Sequence, residues 1–271
     1  MPIHDTVGYW SEVKLDIIRK YAQAYSKIMV KKRLSHIYVD AFAGTGKHLS
    51  KATGQFIEGS PLNALQVIPA FCEYHLIDLN AEKVKNLREL TAGRENVFIY
   101  EADCNEVLLT KVFPRAKYED FRRALCLLDP YGLTLNWDVI YEAGQMGSVE
   151  IFLNFPIMDM NRNVLRRNPE GVSDSQIARL NAFWGDSSWR EAAYTSEGLL
   201  FGEVKTDNAA VVAAFRRRLR SVAGFEYIPE PMPMRNSAGS VVYYLFFASP
   251  NKTGAKIVTE IFNTYRDRRD L

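Results

Sequence analysis

The sequence predicts an α/β fold built on a mostly parallel central sheet. Three observations carry that prediction. Five near-continuous, β-branched apolar runs recur between residues 36 and 156, as strands buried on both faces require. Stretches of helical period lie between them, so the strands come with helices able to cover the sheet. The 271 residues are 47% hydrophobic and 24% charged, enough apolar side chain for a large core. The length suits one domain over residues 1–271.

The elements follow in order. Val13, Ile17, Ile18, Tyr21, Tyr25, Ile28 and Met29 recur at helical spacing, giving an amphipathic helix over 11–30. HIYVDAF (36–42) is the first strand and CEYHLIDLN (72–80) the second. NVFIYEAD (96–103) is the third, ALCLLDPYG (124–132) the fourth and VEIFLNFP (149–156) the fifth. Helical patterns cover 61–71, 81–90, 103–113 and 136–144. A polar, helical insertion follows the fifth strand at about 157–220. Residues 225–234 and 241–249, separated by NSAGS, form an antiparallel terminal strand hairpin. Residues 254–270 close the chain with a helix.

Lys plus Arg is 34 and Asp plus Glu is 32, which excludes a tail-driven nucleic-acid binder but not a local basic face. Residues 1–33 carry seven basic and three acidic groups, residues 72–150 nine and fourteen, and residues 151–271 sixteen and thirteen. The middle is acidic and both ends are basic. The basic runs are Lys27, Lys31, Lys32 and Arg33, the pair Arg166 and Arg167, and Arg216, Arg217, Arg218 and Arg220. Each is either a solvated helix face or a footprint for a phosphate backbone. Cys72, Cys104 and Cys126 have no C-x-x-C spacing, which argues against a disulfide framework or a cysteine zinc site and for reduced thiols. His4, His36, His48 and His75 show no metal-ligand spacing, so no metal is expected. No signal-peptide pattern opens the chain and no long apolar run spans a membrane, so a cytoplasmic location is expected.

The chemistry concentrates at the strand ends. In VDAFAGTGKH (39–48) a strand delivers Asp40, and Gly44 and Gly46 then make a tight turn that lets backbone approach a ligand. His48 after Gly46-Lys47 breaks the P-loop pattern, and the third glycine of a dinucleotide fingerprint is missing. Asp78 ends the second strand, where a carboxylate can accept both ribose hydroxyls of a nucleoside. Asp103 ends the third, where one can accept from an adenine amine. Helix N-caps are the competing explanation for each acid alone. Three carboxylates plus a glycine turn on one sheet edge point to a nucleoside site. Asp129-Pro130-Tyr131-Gly132 ends the fourth strand. Proline removes a donor there, leaving acceptors that can orient an amine, and an aromatic ring can stack on a planar base.

DAFAGTG, an acidic second strand end, EAD and DPYG together resemble the class I S-adenosylmethionine-dependent methyltransferases, a Rossmann-like fold. With GSPLNAL (59–65), the Lys14 helix, NFP and YYLFFAS, the chain resembles the three-Cys-motif partner (TcmP) family along nearly its whole length. It is more distantly similar to bacterial ribosomal RNA adenine-N6 methyltransferases with a Gly-Ser-Pro loop and an Asp-Pro-Pro-aromatic motif.

The resemblance implies S-adenosylmethionine as cofactor. Asp40, Phe42, Gly44 and Gly46 would line its methionine part, Asp78 would hold the ribose, and Asp103 and Cys104 the adenine. Gly59, Ser60 and Pro61 would shape the pocket, and Asp129, Pro130 and Tyr131 would hold the target amine. Tyr131 stands where the second proline is expected and Gly132 where the aromatic is. The expected activity is methylation of an exocyclic amine of a nucleobase in RNA or DNA. Arg166, Arg167, Lys31, Lys32 and Arg33 would contact the nucleic acid substrate. A non-catalytic cofactor-binding module acting through a partner protein with a three-Cys motif is the alternative. A methyltransferase for a small molecule or a protein is a third.

Overall fold

The computed structural model describes residues 6–167, 169–195 and 204–266. His4, parts of the predicted insertion (168 and 196–203) and the end of the predicted closing helix (267–270) lie outside the described residues. Seven strands make the central sheet: β1 (Ser35–Asp40), β2 (Glu73–Asp78), β3 (Val97–Glu101), β4 (Arg122–Leu128), β5 (Val149–Phe155), β6 (Met232–Arg235) and β7 (Val241–Ala248). Their spatial order is β3-β2-β1-β4-β5-β7-β6. The first five run parallel. β7 alone is reversed, antiparallel to both β5 and β6.

The terminal hairpin is therefore built into the sheet, with its second strand inside and its first at the edge. The sequences explain the placement. The last four residues of β7 are buried, whereas β6 carries Pro233, which cannot donate to a ladder. Pro229 and Pro231 also shorten the predicted 225–234 strand to Met232–Arg235.

Ten α-helices are described: α1 (Tyr9–Lys31), α2 (Ser60–Leu65), α3 (Ala81–Leu90), α4 (Cys104–Val107), α5 (Trp137–Gln145), α6 (Ile157–Asn163), α7 (Asp174–Trp184), α8 (Trp189–Ala193), α9 (Asn208–Ser221) and α10 (Lys252–Arg266). The described part of the insertion is mostly helical, but it includes a short antiparallel pair, Tyr194–Thr195 with Val204–Lys205, and it also builds core. Phe183 of α7 and Phe215 of α9 stack with centroids 5.8 Å apart, and Phe215 lies 4.6 Å from Phe155 of β5. The opposite sheet face packs Tyr21 and Tyr25 of α1 with Phe152, Phe247, Tyr38 and Phe71. No helix among the described residues is long and apolar enough to cross a membrane.

A second small sheet also has no counterpart in the sequence reading. Thr6–Val7, Lys47–Ser50 and Phe56–Glu58 form a small separate sheet. It holds the segment before α1 against the loop that follows the glycine turn, with Lys51 N–H donating to the Val7 carbonyl at 2.9 Å.

Candidate functional site

The parallel strands end along one edge, and a cleft of about 740 Å³ opens there. β1 extends past Asp40 by two further bonds, Ala41 N–H to the Leu127 carbonyl (3.0 Å) and Ala43 N–H to the Ile77 carbonyl (2.9 Å). The turn then reverses with Gly44 at φ +64° and Gly46 at φ +79°. Gly44 N–H donates to Asp78 Oδ2 at 2.9 Å, and Asn80 N–H donates to Asp78 Oδ1 at 2.8 Å. Asp78 thus ties the glycine turn to the second strand end, and each oxygen keeps a lone pair for a ligand hydroxyl.

The Gly59-Ser60-Pro61 loop closes the turn from the other side. Gly59 N–H donates to the Gly46 carbonyl at 2.7 Å. A Cβ on Gly59 would stand 3.0 Å from that same oxygen, so the close approach depends on glycine. Phe42, Gly44 and Ser60 line the cleft, as do Asp78, Asp103 and Cys104. Asp40, Gly46 and Pro61 do not, which corrects their expected place on its surface. Asp40 is fully buried, and burial drives its carboxyl up to about 7 against the pull of the Ser60 hydroxyl and the Phe42 amide. Gly46 instead presses on α3, where a Cβ would meet Leu90 at 3.2 Å. Pro61 is buried in the first turn of α2.

At the third strand end Asp103 Oδ1 accepts from Asn105 N–H (2.7 Å) and Asn105 Nδ2 (2.9 Å). Asp103 is therefore both a helix N-cap and a cleft residue. Asn105 also donates to the Thr134 carbonyl at 3.0 Å and accepts from Asn136 N–H at 2.7 Å. It staples the loop after the fourth strand to α4. The Cys104 thiol is pushed up to about 12 by burial and by the neighbouring Asp103.

Asp129, Pro130 and Tyr131 line the far part of the same cleft. Gly132 takes φ +68° and lies so near Asp159 of α6 that a Cβ would be 3.0 Å from Asp159 Oδ2. Tyr131 is 95% exposed at the rim. The side chain of Lys14, from α1, pairs directly with Asp129. Burial opposes the Lys14 charge, but Asp129, Tyr243 and Asp40 outweigh it and raise the ammonium above its ordinary value. The Lys14 Nζ sits 5.3 Å from the centroid of the Tyr243 ring. Asn154 completes this end of the cleft from β5.

Lys14 and Asn154 line the cleft without a strand-end signal, and Asn105 supports it through the loop after the fourth strand. Lys14 had a signal: it shares the buried stripe of α1 with Ile17, Ile18 and Tyr21, and a lysine on such a stripe needs a partner.

The basic runs are dispersed. Lys31, Lys32 and Arg33 end α1, seventeen or more residues beyond Lys14, or about 25 Å at 1.5 Å per residue. They sit beside the start of β1, at the opposite edge of the sheet, and do not join the cleft. Arg166 and Arg167 are exposed shortly after α6, on the cleft side of β5. Arg216 donates to the Ile228 carbonyl, and Arg218 turns inward to the Trp184 carbonyl at 2.6 Å and the Trp137 ring at 4.6 Å. Half of that run is structural.

No protein-family model matches the chain, and no curated relative does. Among solved structures, a Legionella pneumophila protein is similar over 93% of this chain and 92% of its own, with 11% identity and a TM-score of 0.53. That likeness extends over the whole fold. Two others are looser. One is the N-methyltransferase NodS of Bradyrhizobium japonicum in complex with S-adenosyl-L-homocysteine, at 10% identity, 80% and 79% coverage and a TM-score of 0.38. The other is a SAM-dependent methyltransferase of Leishmania major, at 8% identity, 86% and 72% coverage and a TM-score of 0.41.

Proposed function

We propose that the chain is an S-adenosylmethionine-dependent methyltransferase acting on an exocyclic amine of a nucleobase in RNA or DNA. The observation that carries the reading is one continuous cleft. It joins the Gly44 turn, Asp78 and Asp103 at one end to Asp129, Pro130 and Tyr131 at the other. The sheet order, with its reversed seventh strand, suits the class I methyltransferase fold that the sequence resembles.

The donor set fits the cofactor. Asp78 would hold the ribose, Asp103 the adenine amine, and Phe42, Gly44 and Ser60 the methionine end. The volume lies within the range of small-molecule sites. Its lining carries three carboxylates, Asp78, Asp103 and Asp129, against the ammonium groups of Lys14 and Lys83, a balance that favours a cationic ligand. When bound, the cofactor supplies an activated methyl group on a sulfonium that leaves as a neutral thioether. Asp129 accepts from the target amine and holds its lone pair in line. Lys14 fixes the Asp129 carboxylate and neutralises it beside Asp40. Tyr131 offers a ring on which a base can stack, and Arg166 and Arg167 give phosphate contacts. Catalysis is then mainly positioning.

The resemblance to three-Cys-motif partner proteins adds a protein partner in the cytoplasm to this reading. A non-catalytic cofactor-binding module is the second reading. It is favoured by the departure of Asp129-Pro130-Tyr131-Gly132 from the amino-methyltransferase pattern and by the engagement of Asp129 with Lys14. The test is titration calorimetry with S-adenosylmethionine, then incubation with methyl-labelled cofactor and fractionated RNA, DNA and protein. Binding with label in nucleic acid supports the enzyme. Binding without transfer supports the module. Label in protein alone, or no binding, refutes the proposal.

A further inference from the structure

The fourth and fifth strands end side by side. β4 and β5 run parallel with Leu128 opposite Leu153. Asp129 and Asn154 therefore leave neighbouring strands at one level, on one face, about 4.8 Å apart along the hydrogen-bonding direction. Both line the cleft. Asn154 is only 9% exposed, and its Oδ1 is buried with no hydrogen-bond partner among the described residues. A buried carboxamide oxygen left unpaired is costly, and β5 is otherwise buried along its length. Because Asn154 lines the cleft, an occupant of the cleft is in place to supply that partner.

We propose that Asn154 is a specificity-determining residue that reads the ring position next to the target amine. This rests on the methyl-transfer reading above and names its substrate class more narrowly. Asp129 offers only acceptors and so calls for an N–H donor, which an exocyclic amine supplies. Asn154 offers a second polar point beside it. Its unpaired end is an acceptor or, with the amide turned over, a donor. Both match an atom that nucleobases place next to an exocyclic amine: a bare ring nitrogen in adenine and cytosine, a ring N–H in guanine. Uracil has no exocyclic amine; its one Watson–Crick donor is a ring N–H between two carbonyls, so it cannot offer an amine to Asp129 and a neighbouring ring nitrogen to Asn154 together. An alkylamine such as lysine has no second polar atom to give Asn154. The paired Asp129–Asn154 edge thus selects an amine-bearing base over uracil and over a side-chain amine.

The test uses the full chain saturated with S-adenosyl-L-homocysteine and 5′-labelled oligoribonucleotides rA12, rC12, rU12 and r(GU)6, read by fluorescence anisotropy. Wild type is expected to bind rA12, rC12 or r(GU)6 more tightly than rU12. Asn154→Ala and the near-isosteric Asn154→Leu are expected to cut that ratio about tenfold, the scale of one well-made base contact. Cofactor-product affinity and melting temperature should stay near wild type. Equal binding by wild type of all three homo-oligomers and of the guanine-bearing r(GU)6, or an unchanged ratio in both variants, overturns the assignment. If wild type fails to bind S-adenosyl-L-homocysteine at all, the methyl-transfer reading falls, and this inference with it.

Discussion

Replacing Lys14 by methionine keeps the length of the side chain and removes its charge. The Lys14 side chain is 11% exposed and that of Asp129 is 27% exposed. Breaking a buried ion pair from one side costs about 3–5 kcal/mol, because the other charge stays behind. Water reaches Asp129 in part, so Lys14→Met should cost less, about 2–3 kcal/mol. Asp129→Asn leaves the more deeply buried ammonium alone and should cost more, about 3–4 kcal/mol. The double variant removes both charges and should recover about 2 kcal/mol of the summed loss. For a chain of this size 1 kcal/mol moves the melting temperature by about 2–4 °C. Lys14→Met should therefore melt about 4–12 °C below wild type at neutral pH by differential scanning fluorimetry, with urea unfolding as the check. A shift under about 1 °C, or a double variant that costs the sum of the singles, would refute the coupling of the two charges. The same geometry makes Asp129→Asn a cleaner test of methyl transfer than Asp129→Ala, since it keeps the volume beside Lys14.

Asp78→Ala and Asp103→Ala should each weaken S-adenosylmethionine binding by about 10- to 100-fold in calorimetry, the worth of hydrogen bonds to a charged group. A change under threefold in both would remove them from the cofactor site. Gly59→Ala places a methyl 3.0 Å from the Gly46 carbonyl and should cost about 1–3 kcal/mol in urea unfolding, with weaker cofactor binding. Tyr131→Ala should leave stability within about 0.5 kcal/mol yet weaken binding of a short single-stranded RNA by about tenfold, the scale of one stacked base. Burial raises Asp40 from 3.8 and Glu150 from 4.5 to about 7. Each carboxyl binds its proton more tightly folded than unfolded, so stability falls as pH rises from about 4 to 7 and levels off above. Asp40→Asn and Glu150→Gln should each flatten that fall in urea midpoints measured from pH 5 to 8, and a slope unchanged in both would contradict the assignment.

The strand ends are the most legible part of the molecule. Asp78, Asp103 and Asp129 stand out because a carboxylate after an apolar, β-branched run has few reasons to be there except a cap or a ligand. At Asp103 the cap is made and the same residue lines the cleft. Asp40 carries the same sequence signal but is buried beneath the wall, because the chain extends β1 by two further hydrogen bonds before turning. Lys14 and Asn154 needed the third dimension. One lies 115 positions from its partner Asp129, and the other belongs with it only through the β4–β5 register. The basic run at Lys31–Arg33 looked like a substrate face since charge counting ignores which end of a helix reaches the site. The small sheet of Lys47–Ser50 and Phe56–Glu58 escaped notice because strands of three or four residues carry too little periodicity.

The reversed β7 also sets a schedule for assembly. Tyr243, which faces Lys14, belongs to this strand, and the strand pairs with β5 some ninety positions earlier. α10 then latches onto α1, with the Tyr265 hydroxyl donating to Asp16. During synthesis the β1–β5 half can collapse while Lys14 still lacks its aromatic wall. The end of the cleft around Lys14 and Asp129 gains its Tyr243 wall only once β7 has been made, so a chain cut before β7 would lack that wall. Pairing across so long a loop is slow, so the wall contributed by β7 is among the last parts of the cleft to be assembled.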